Sequence, residues 1–372
     1  EQLDYKWQYR PTGAVEAGYQ YVTYSEIGDY NIKYWDRPAQ AFEWQDDLYA
    51  PFDYHRQVYS LFASASDHLG RLDVDAGLRM DRVRDEMTIA VVGADRDRRR
   101  LELYPSAHAA YNTARGTFGI GYARRTNRPG IWKMEPYITY EDYYTKKIGN
   151  PDIRPEYIHS LEVNYHKGFE GGHSLHLAAY QRWRTDVVDE IRVAYEPGIT
   201  LDSIINAGNQ TDRGAEMSLV VKPFRPWTST LNTDVQNYRF TSHYEGCMNA
   251  HGWTYTLGWI NQVAATPTTS LQFDGHLIGS HRLTQGREKA YIYFDLAARQ
   301  KLMEGRMALA LVAHDVLHTA RYHNWRTTST LNSETRVRPK YPNVTLSISY
   351  YFNTTSKESH SGAVSKGAQF EG

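Results

Sequence analysis

Apolar and polar residues alternate one by one through most of the chain. Leu72, Val74, Ala76, Leu78 and Met80 interleave with Arg71, Asp73, Asp75, Gly77, Arg79 and Asp81, and Leu161, Val163 and Tyr165 interleave with Ser160, Glu162, Asn164 and His166. The same period sets Ile292, Phe294, Leu296 and Ala298 against Tyr291, Tyr293, Asp295 and Arg299. It also sets Val344, Leu346, Ile348, Tyr350 and Phe352 against Thr345, Ser347, Ser349 and Tyr351. Successive side chains of a strand point to opposite faces, so each stretch predicts a strand with one apolar and one polar face. We count about fifteen, many about 10 residues long, the length a tilted strand needs to cross a bilayer. A half-buried strand of a soluble sandwich alternates in the same way, so one stretch alone decides nothing.

The joints between stretches are more telling. Short ones fall at Ser25-Glu26, His68 to Gly70, Asn112 to Arg115, Phe169 to Gly172, Pro223 to Pro226, Ala265 to Pro267 and Met303 to Gly305. Between them lie long ones, at Arg37 to His55, Asp85 to Arg99, Asn127 to Tyr157, Asp186 to Thr211, Thr241 to His251, His281 to Glu288 and Leu317 to Lys340. Strands of outer-membrane barrels are joined alternately by short periplasmic turns and longer external loops. The pattern therefore predicts an all-β, up-and-down antiparallel transmembrane barrel over residues 1–353, with its first strand, near Val15 to Tyr24, running toward the periplasm. Both terminal strands then run the same way, which makes the count odd, whereas bacterial single-chain barrels close with an even number. The expectation is about fifteen strands of a barrel of 22, with the remaining strands and a lumen plug upstream.

Composition changes the picture in one respect. Tyr accounts for 30 of 372 residues, yet the mean hydropathy is only -0.64 and no apolar run approaches the roughly 20 residues of a spanning helix. Alternating strands average out to polar while aromatic girdles raise Tyr and Trp, so low hydropathy is compatible with a membrane wall. Lys and Arg total 42 against 43 Asp and Glu, which leaves no basic footprint for nucleic acid. Cys247 is alone, so an intrachain disulfide is excluded and a Cys-based metal site is not expected. The chain starts at Glu1 with no initiator Met or signal peptide, and a longer precursor is expected. Residues 354–372, rich in Ser, Gly and Lys, predict a disordered periplasmic tail.

One segment carries a family signature. Arg124-Arg125-Thr126-Asn127-Arg128-Pro129, Pro136-Tyr137 and Gly149-Asn150-Pro151-Asp152-Ile153-Arg154-Pro155-Glu156 resemble the outer membrane β-barrel family of TonB-dependent receptors, in the branch bearing a peptidase-regulatory domain. Weaker echoes follow in order: Gly77-Leu78-Arg79, Arg213-Gly214-Ala215-Glu216, Asp295-Leu296 with Gly305 and Asp315-Val316-Leu317, and the terminal strand Val344 to Phe352. The resemblance spans about Gly13 to Phe352. It implies a ligand-gated import receptor of the bacterial outer membrane, energised by the TonB complex through an N-terminal segment absent from this sequence. The alternative is a barrel of the same descent serving as a structural subunit of an outer-membrane protein complex, without transport. Outer-membrane lipid and lipopolysaccharide are implied neighbours, with a surface lipoprotein or other subunits as possible partners. Independently of the family, Pro151 and Pro155 bias Asn150 and Arg154 toward extended backbone, and Gly149 can take a positive φ.

Candidate chemistry is sparse. There is no nucleophile elbow, HExxH or phosphate-binding glycine loop, so no catalytic residue, cofactor or metal is assigned and no enzyme is expected. His314 and His318 would lie about 13 Å apart on a strand, too far to share one ion. The expected lumen face carries Asp73, Asp75, Arg79, Glu162, Asn164, Arg182 and Asp234, either lining a path or pairing across strands. The loop from Asn127 to Tyr157 combines Arg128, Trp132, Tyr137, Glu141, Asp142, Tyr143 and Tyr144, and rigid aromatics beside charges suit a recognition surface for a ligand or partner.

Overall fold

The computed structural model describes residues 1–44, 50–89, 95–340 and 342–352. Fifteen strands build one wall: β1 (Gln2–Arg10), β2 (Gly13–Tyr30), β3 (Ala50–Leu69), β4 (Leu72–Ile89), β5 (Arg96–Thr113), β6 (Gly116–Asn127), β7 (Glu156–Gly168), β8 (Ser174–Glu196), β9 (Ile199–Phe224), β10 (Trp227–Ser242), β11 (Ala250–Ala264), β12 (Thr269–Ile278), β13 (Tyr291–Leu302), β14 (Met307–His314) and β15 (Asn343–Tyr350). Each pairs antiparallel with the next in sequence. Among the described residues β1 and β15 do not pair with each other, so the wall is an open sheet with two edges.

Register shows why the alternation is there. Directly opposed residues of neighbouring strands face the same side. One row crosses seven strands as Asp73, Ala110, Gly119, Asn164, Ala178, Glu216 and Asp234. The next residue along each of these strands gives Val74, Ala109, Ile120, Val163, Ala179, Ala215 and Val235, and the row continues to Tyr255 of β11. The first row is small or polar and the second is wholly apolar. Leu61, Leu103, Leu271, Leu296 and Leu311 share the apolar side and stay exposed, as lipid contact requires. Leu309 opposes Ile348 and Leu311 opposes Leu346 on that side.

All seven joints at one end are short, and the strands differ in how far they reach beyond the other end. β8 has 23 residues and β9 has 26, more than twice the roughly 9–11 that a bilayer needs. Three expectations change as a result. Asp186 to Thr211 is not a loop: β8 and β9 stay paired through it and turn only at Pro197-Gly198, where Gly198 has φ 78. Most of Asp85 to Arg99 is likewise β4 and β5 in register, with Asp85 opposite Arg98; residues 90–94 lie outside the described residues. Ser25-Glu26 is not a turn, since both residues sit inside β2 opposite His55 and Tyr54. The first short turn is Pro11-Thr12, so Val15 to Tyr24 runs away from the short-turn end and β1 runs toward it. Polar residues on an exposed ladder look like turn residues in sequence, but their backbone pairing continues.

The long joints hold structure of their own. Lys33–Asp36 pairs with Ala41–Trp44, and His281–Leu283, Gly286–Glu288, Tyr322–Thr327 and Asn332–Val337 form a separate four-stranded sheet from two different loops. Within the β6–β7 loop, Ile138–Tyr140 pairs with Thr145–Ile148, which adds in parallel to Thr200–Ser203 of β9. No helix among the described residues is long and apolar enough to cross a membrane, which says nothing against strands doing so. The expected tail at 354–372 lies outside the described residues.

Replacing mid-strand Leu161 with Arg should cost about 2–4 kcal/mol of unfolding free energy in lipid vesicles, and Glu162→Arg on the opposite face much less. Equal losses at the two positions would contradict the face assignment.

Candidate functional site

The seven expected lumen residues lie on one face. Asp73, Asn164 and Asp234 share the row above, Asp75 and Glu162 share the next, and Arg79 and Arg182 follow with the same parity. Each is engaged within the wall. Asp73 accepts from Asn112 at 2.6 Å, Asp75 lies 3.3 Å from His108, and Asn164 donates to Glu162 at 3.2 Å. Arg182 meets Glu216 at 3.3 Å, Asp234 accepts from the Tyr180 hydroxyl at 2.8 Å, and Arg79 donates to Asp81 at 2.8 Å and to Ser60 at 2.6 Å. These contacts satisfy the polar face within and across strands, which is the less specific of the two roles open to it.

Above this face a denser cluster takes over. Asp81, Asp85 and Glu102 are almost fully buried, a state that requires ionic partners. Asp85 receives Arg56 at 2.6 Å, Arg100 at 2.5 Å and the Tyr54 hydroxyl at 2.8 Å. Arg128, the second residue beyond Asn127 in the family-like motif being Pro129, turns back so that one guanidinium nitrogen reaches Asp81 at 3.0 Å, Glu102 at 2.5 Å and Tyr104 at 2.9 Å. Arg128 therefore pins the start of the β6–β7 loop to the wall. Its neighbouring carboxylates hold its proton even more firmly than usual against the opposing effect of burial.

The end of the same loop is pinned by the Gly149 to Glu156 motif. Gly149 has no positive φ; a Cβ there would come within 2.7 Å of the Glu135 backbone, and the Gly149 N–H donates to the Glu135 carbonyl at 2.9 Å. The expected reason for this glycine is thus replaced by a close backbone approach. Asn150 accepts the Asp152 N–H at 2.9 Å, closing a local turn. Asn206 of β9 then exchanges two bonds with the backbone of Arg154, at 2.9 and 3.0 Å, and buried Glu156 meets Arg184 at 2.5 Å. Ile131, Met134 and Ile153 from the loop pack on Phe52, Tyr54, Met87 and Ile204 of the wall. Partly buried Tyr137 joins this cluster, and burial raises the pKa of nearby Glu135.

What remains outside is the loop's tip. Trp132 is exposed between the ammonium groups of Lys133 and Lys147, 5.0 and 4.8 Å from its ring. Tyr143 and Tyr144 are 83% and 65% exposed and meet edge to face at 5.1 Å. Asp142 accepts the Tyr144 N–H at 2.7 Å, which holds its carboxyl below the usual range, and Glu141 is exposed beside it. The seven loop candidates therefore divide. Arg128 and Tyr137 anchor, while Trp132, Glu141, Asp142, Tyr143 and Tyr144 face outward.

Sequence reasoning missed a second feature, a cavity of about 920 Å³ between the outer ends of β10 and β11 and the four-stranded loop sheet. Its residues lie far apart in sequence and carry no shared motif, so only the folding of the loops brings them together. Cys247, beside this region, is a free thiol whose pKa burial pushes up to about 11, which leaves it protonated and inert at neutral pH.

An open, neighbour-paired antiparallel wall with an apolar outer face and loops at one end defines a membrane barrel architecture. The chain belongs to the outer membrane protein beta-barrel family, whose model matches residues 1–350. No curated protein matches it. Among solved structures it is similar in fold to the ferric-catecholate import receptor Fiu from K12 E. coli, with 13% identity and a TM-score of 0.65 over 94% of this chain and 54% of that one. The ferric yersiniabactin uptake receptor FyuA from Yersinia pestis gives 12% identity and 0.63 over 93% and 52%. The copper transporter OprC gives 12% and 0.64 over 90% and 54%. The chain thus spans about half the length of these structures, and at such identities the likeness concerns the fold. It is an outer-membrane protein.

Arg128→Ala should strip Asp81 and Glu102 of their shared cation and destabilise the protein by about 3 kcal/mol, discounted toward 2 because the side chain is partly exposed. Thermal unfolding measures this, and Arg128→Lys should recover only part of the loss because a point charge cannot reproduce the planar fork. Full stability of the Ala variant would show that the cluster does not hold the loop.

Proposed function

We propose that the chain is wall and loops of a TonB-dependent receptor that imports a ligand through a plugged barrel, with β6–β7 loop residues Trp132, Glu141, Asp142, Tyr143 and Tyr144 contacting the ligand or a partner at the cell exterior. The observation that carries this reading is the division of the loop: both ends are anchored to the polar face of the wall, while an aromatic and acidic tip is left exposed where the short turns are not. A tip built only as a cover would have its aromatic rings turned inward. Exposed rings lose little entropy on contact and bury large area. The fold shared with import receptors, each about twice as long, supports the reading; the plug and a segment meeting the TonB complex would lie in the rest of such a protein.

On this proposal the apolar face meets outer-membrane lipid and lipopolysaccharide, the polar face carrying Asp73, Asp75, Arg79, Glu162, Asn164, Arg182 and Asp234 lines the lumen, and the chemistry is transport with no catalytic step. A surface lipoprotein or another subunit would dock on the loop end. The alternative, a structural subunit without transport, shares the wall but makes the tip a protein contact only.

Changing Tyr143 and Tyr144 together to Ala should weaken ligand uptake at least about thirtyfold, since two aromatic anchors commonly cost 2 kcal/mol or more when truncated. Uptake by cells with and without an active TonB complex, together with recovery of co-purifying subunits, is the assay. Unchanged uptake with loss of a subunit would favour the structural role, and unchanged uptake with every subunit retained would remove the tip from recognition.

A further inference from the structure

The cavity between the loops is open to solvent and bordered by elements tied to one another. The loop sheet pairs Gly286–Glu288 with Tyr322–Thr327 through three register positions, and Gln285 exchanges two hydrogen bonds with the backbone of Arg192 in β8, at 2.8 and 3.2 Å. Thr284 donates to Asp189 at 2.5 Å, and the Met248 N–H donates to the Thr284 carbonyl at 2.7 Å. The cavity is therefore a fixed shape and not a gap between independent loops. Its volume of about 920 Å³ falls within the range of roughly 300–1,000 Å³ typical of sites for small molecules.

The charge of its lining is one-sided. Arg282, Arg287 and Lys289 are exposed and line the space, and none has a carboxylate partner among the described residues. The Arg287 guanidinium lies 4.6 Å from the Trp325 ring centre, which orients it without neutralising it. The Arg282 backbone N–H donates to the Tyr238 hydroxyl at 2.7 Å, fixing that residue at the wall. Only one acid lines the space, Glu288, and it already accepts the Tyr322 hydroxyl at 2.7 Å. Nearby Glu334, opposite Trp325 in the loop sheet, is engaged by His323 at 2.6 Å and Arg336 at 2.7 Å. His281 packs on Tyr238 with centroids 4.2 Å apart and the rings tilted by 38°, on the hairpin face opposite Arg282 and Arg287, and burial lowers its pKa. Trp253, 65% exposed, adds an open aromatic face.

We propose that this cavity binds a small anionic molecule with a flat apolar part, of the aromatic carboxylate class: Arg282, Arg287 and Lys289 pair the carboxylate while the exposed face of Trp253 accepts the ring. A neutral or cationic occupant would strip water from three cations and return no charge to them. Guanidinium groups offer forked donors matched to a carboxylate. The inference rests on the import reading above and deepens it by naming a class of ligand, and it places recognition at a surface separate from the β6–β7 tip.

The test uses the protein purified from outer membranes in lipid nanodiscs, titrated with 2-naphthoate and with the cation 2-naphthylmethylamine, and followed by quenching of tryptophan fluorescence and by isothermal calorimetry. 2-Naphthoate should bind saturably and the amine should not compete. Affinity should fall with added salt and drop at least about tenfold in the Arg282→Gln/Arg287→Gln variant, while Arg282→Lys/Arg287→Lys, which keeps the charge and loses the fork, retains only part of it. Heat-modifiable mobility on gels establishes that each variant is folded. Equal binding of both probes, no 2-naphthoate binding at about 1 mM, or wild-type affinity in the folded Gln variant would each overturn the proposal. The two readings separate cleanly. Specific 2-naphthoate binding in a protein that supports no uptake would refute import and keep the site, whereas TonB-dependent uptake without such binding would refute the site and keep import.

Discussion

Inside a bilayer every backbone N–H and C=O must find a partner within the protein, because hydrocarbon offers none and each bare group costs several kcal/mol. The rest of this molecule follows from that constraint. A chain that crosses the membrane as strands must pair each crossing with the next, and here all fifteen strands do so in sequence order. Once register is set, side chains have only two destinations. The row from Val74 to Tyr255 is apolar because it has lipid to face, and the adjacent row from Asp73 to Asp234 is small or polar because it does not. A slip of one residue in any strand would exchange the two rows there, so alternation and backbone pairing enforce each other.

Past the bilayer the constraint is relaxed and the strands are free to keep going. They do so where charges across the ladder are complementary, as around Asp85, Arg100 and Arg56. The extended walls of β8 and β9 then become a platform on which loops are built. The β6–β7 loop is held through Arg128 on Asp81 and Glu102 of β4 and β5 at one end and through Arg154 on Asn206 of β9 and Glu156 on Arg184 of β8 at the other, with an apolar cluster between. Anchoring of this kind is what allows five exposed residues at the tip to hold a defined surface, since loops position function only as well as their supports do.

The wall was legible in sequence because period-two patterning is a local signal repeated many times. The faces assigned to Asp73, Glu162, Arg182 and Asp234 came directly from it. Three things were not legible, each for a physical reason. Strand ends beyond the membrane break strict alternation, as at Val187-Val188 and Ile204-Ile205, while keeping the hydrogen-bond ladder, so Asp186 to Thr211 reads as loop and folds as hairpin. Ser25-Glu26 carries turn-forming residue types on a strand that simply continues. Gly149 and Arg128 do their work through partners that are distant in the chain, Glu135 backbone in one case and Asp81 with Glu102 in the other, and no local rule shows those contacts. The cavity between the loops is the extreme case, assembled from β10, β11 and two separate loops.

The central claim is that one wall separates lipid from a polar interior, strand by strand. Nitroxide labels placed singly at Asp73, Val74, Asp234, Val235 and Gln236, in protein reconstituted into bilayers, test it most directly through collisional access of oxygen against a water-soluble nickel chelate. Labels at Val74 and Val235 should meet oxygen, and those at Asp73, Asp234 and Gln236 should meet the chelate or be shielded from both. Oxygen access at Asp73 and Asp234 with chelate access at Val74 and Val235 would contradict it.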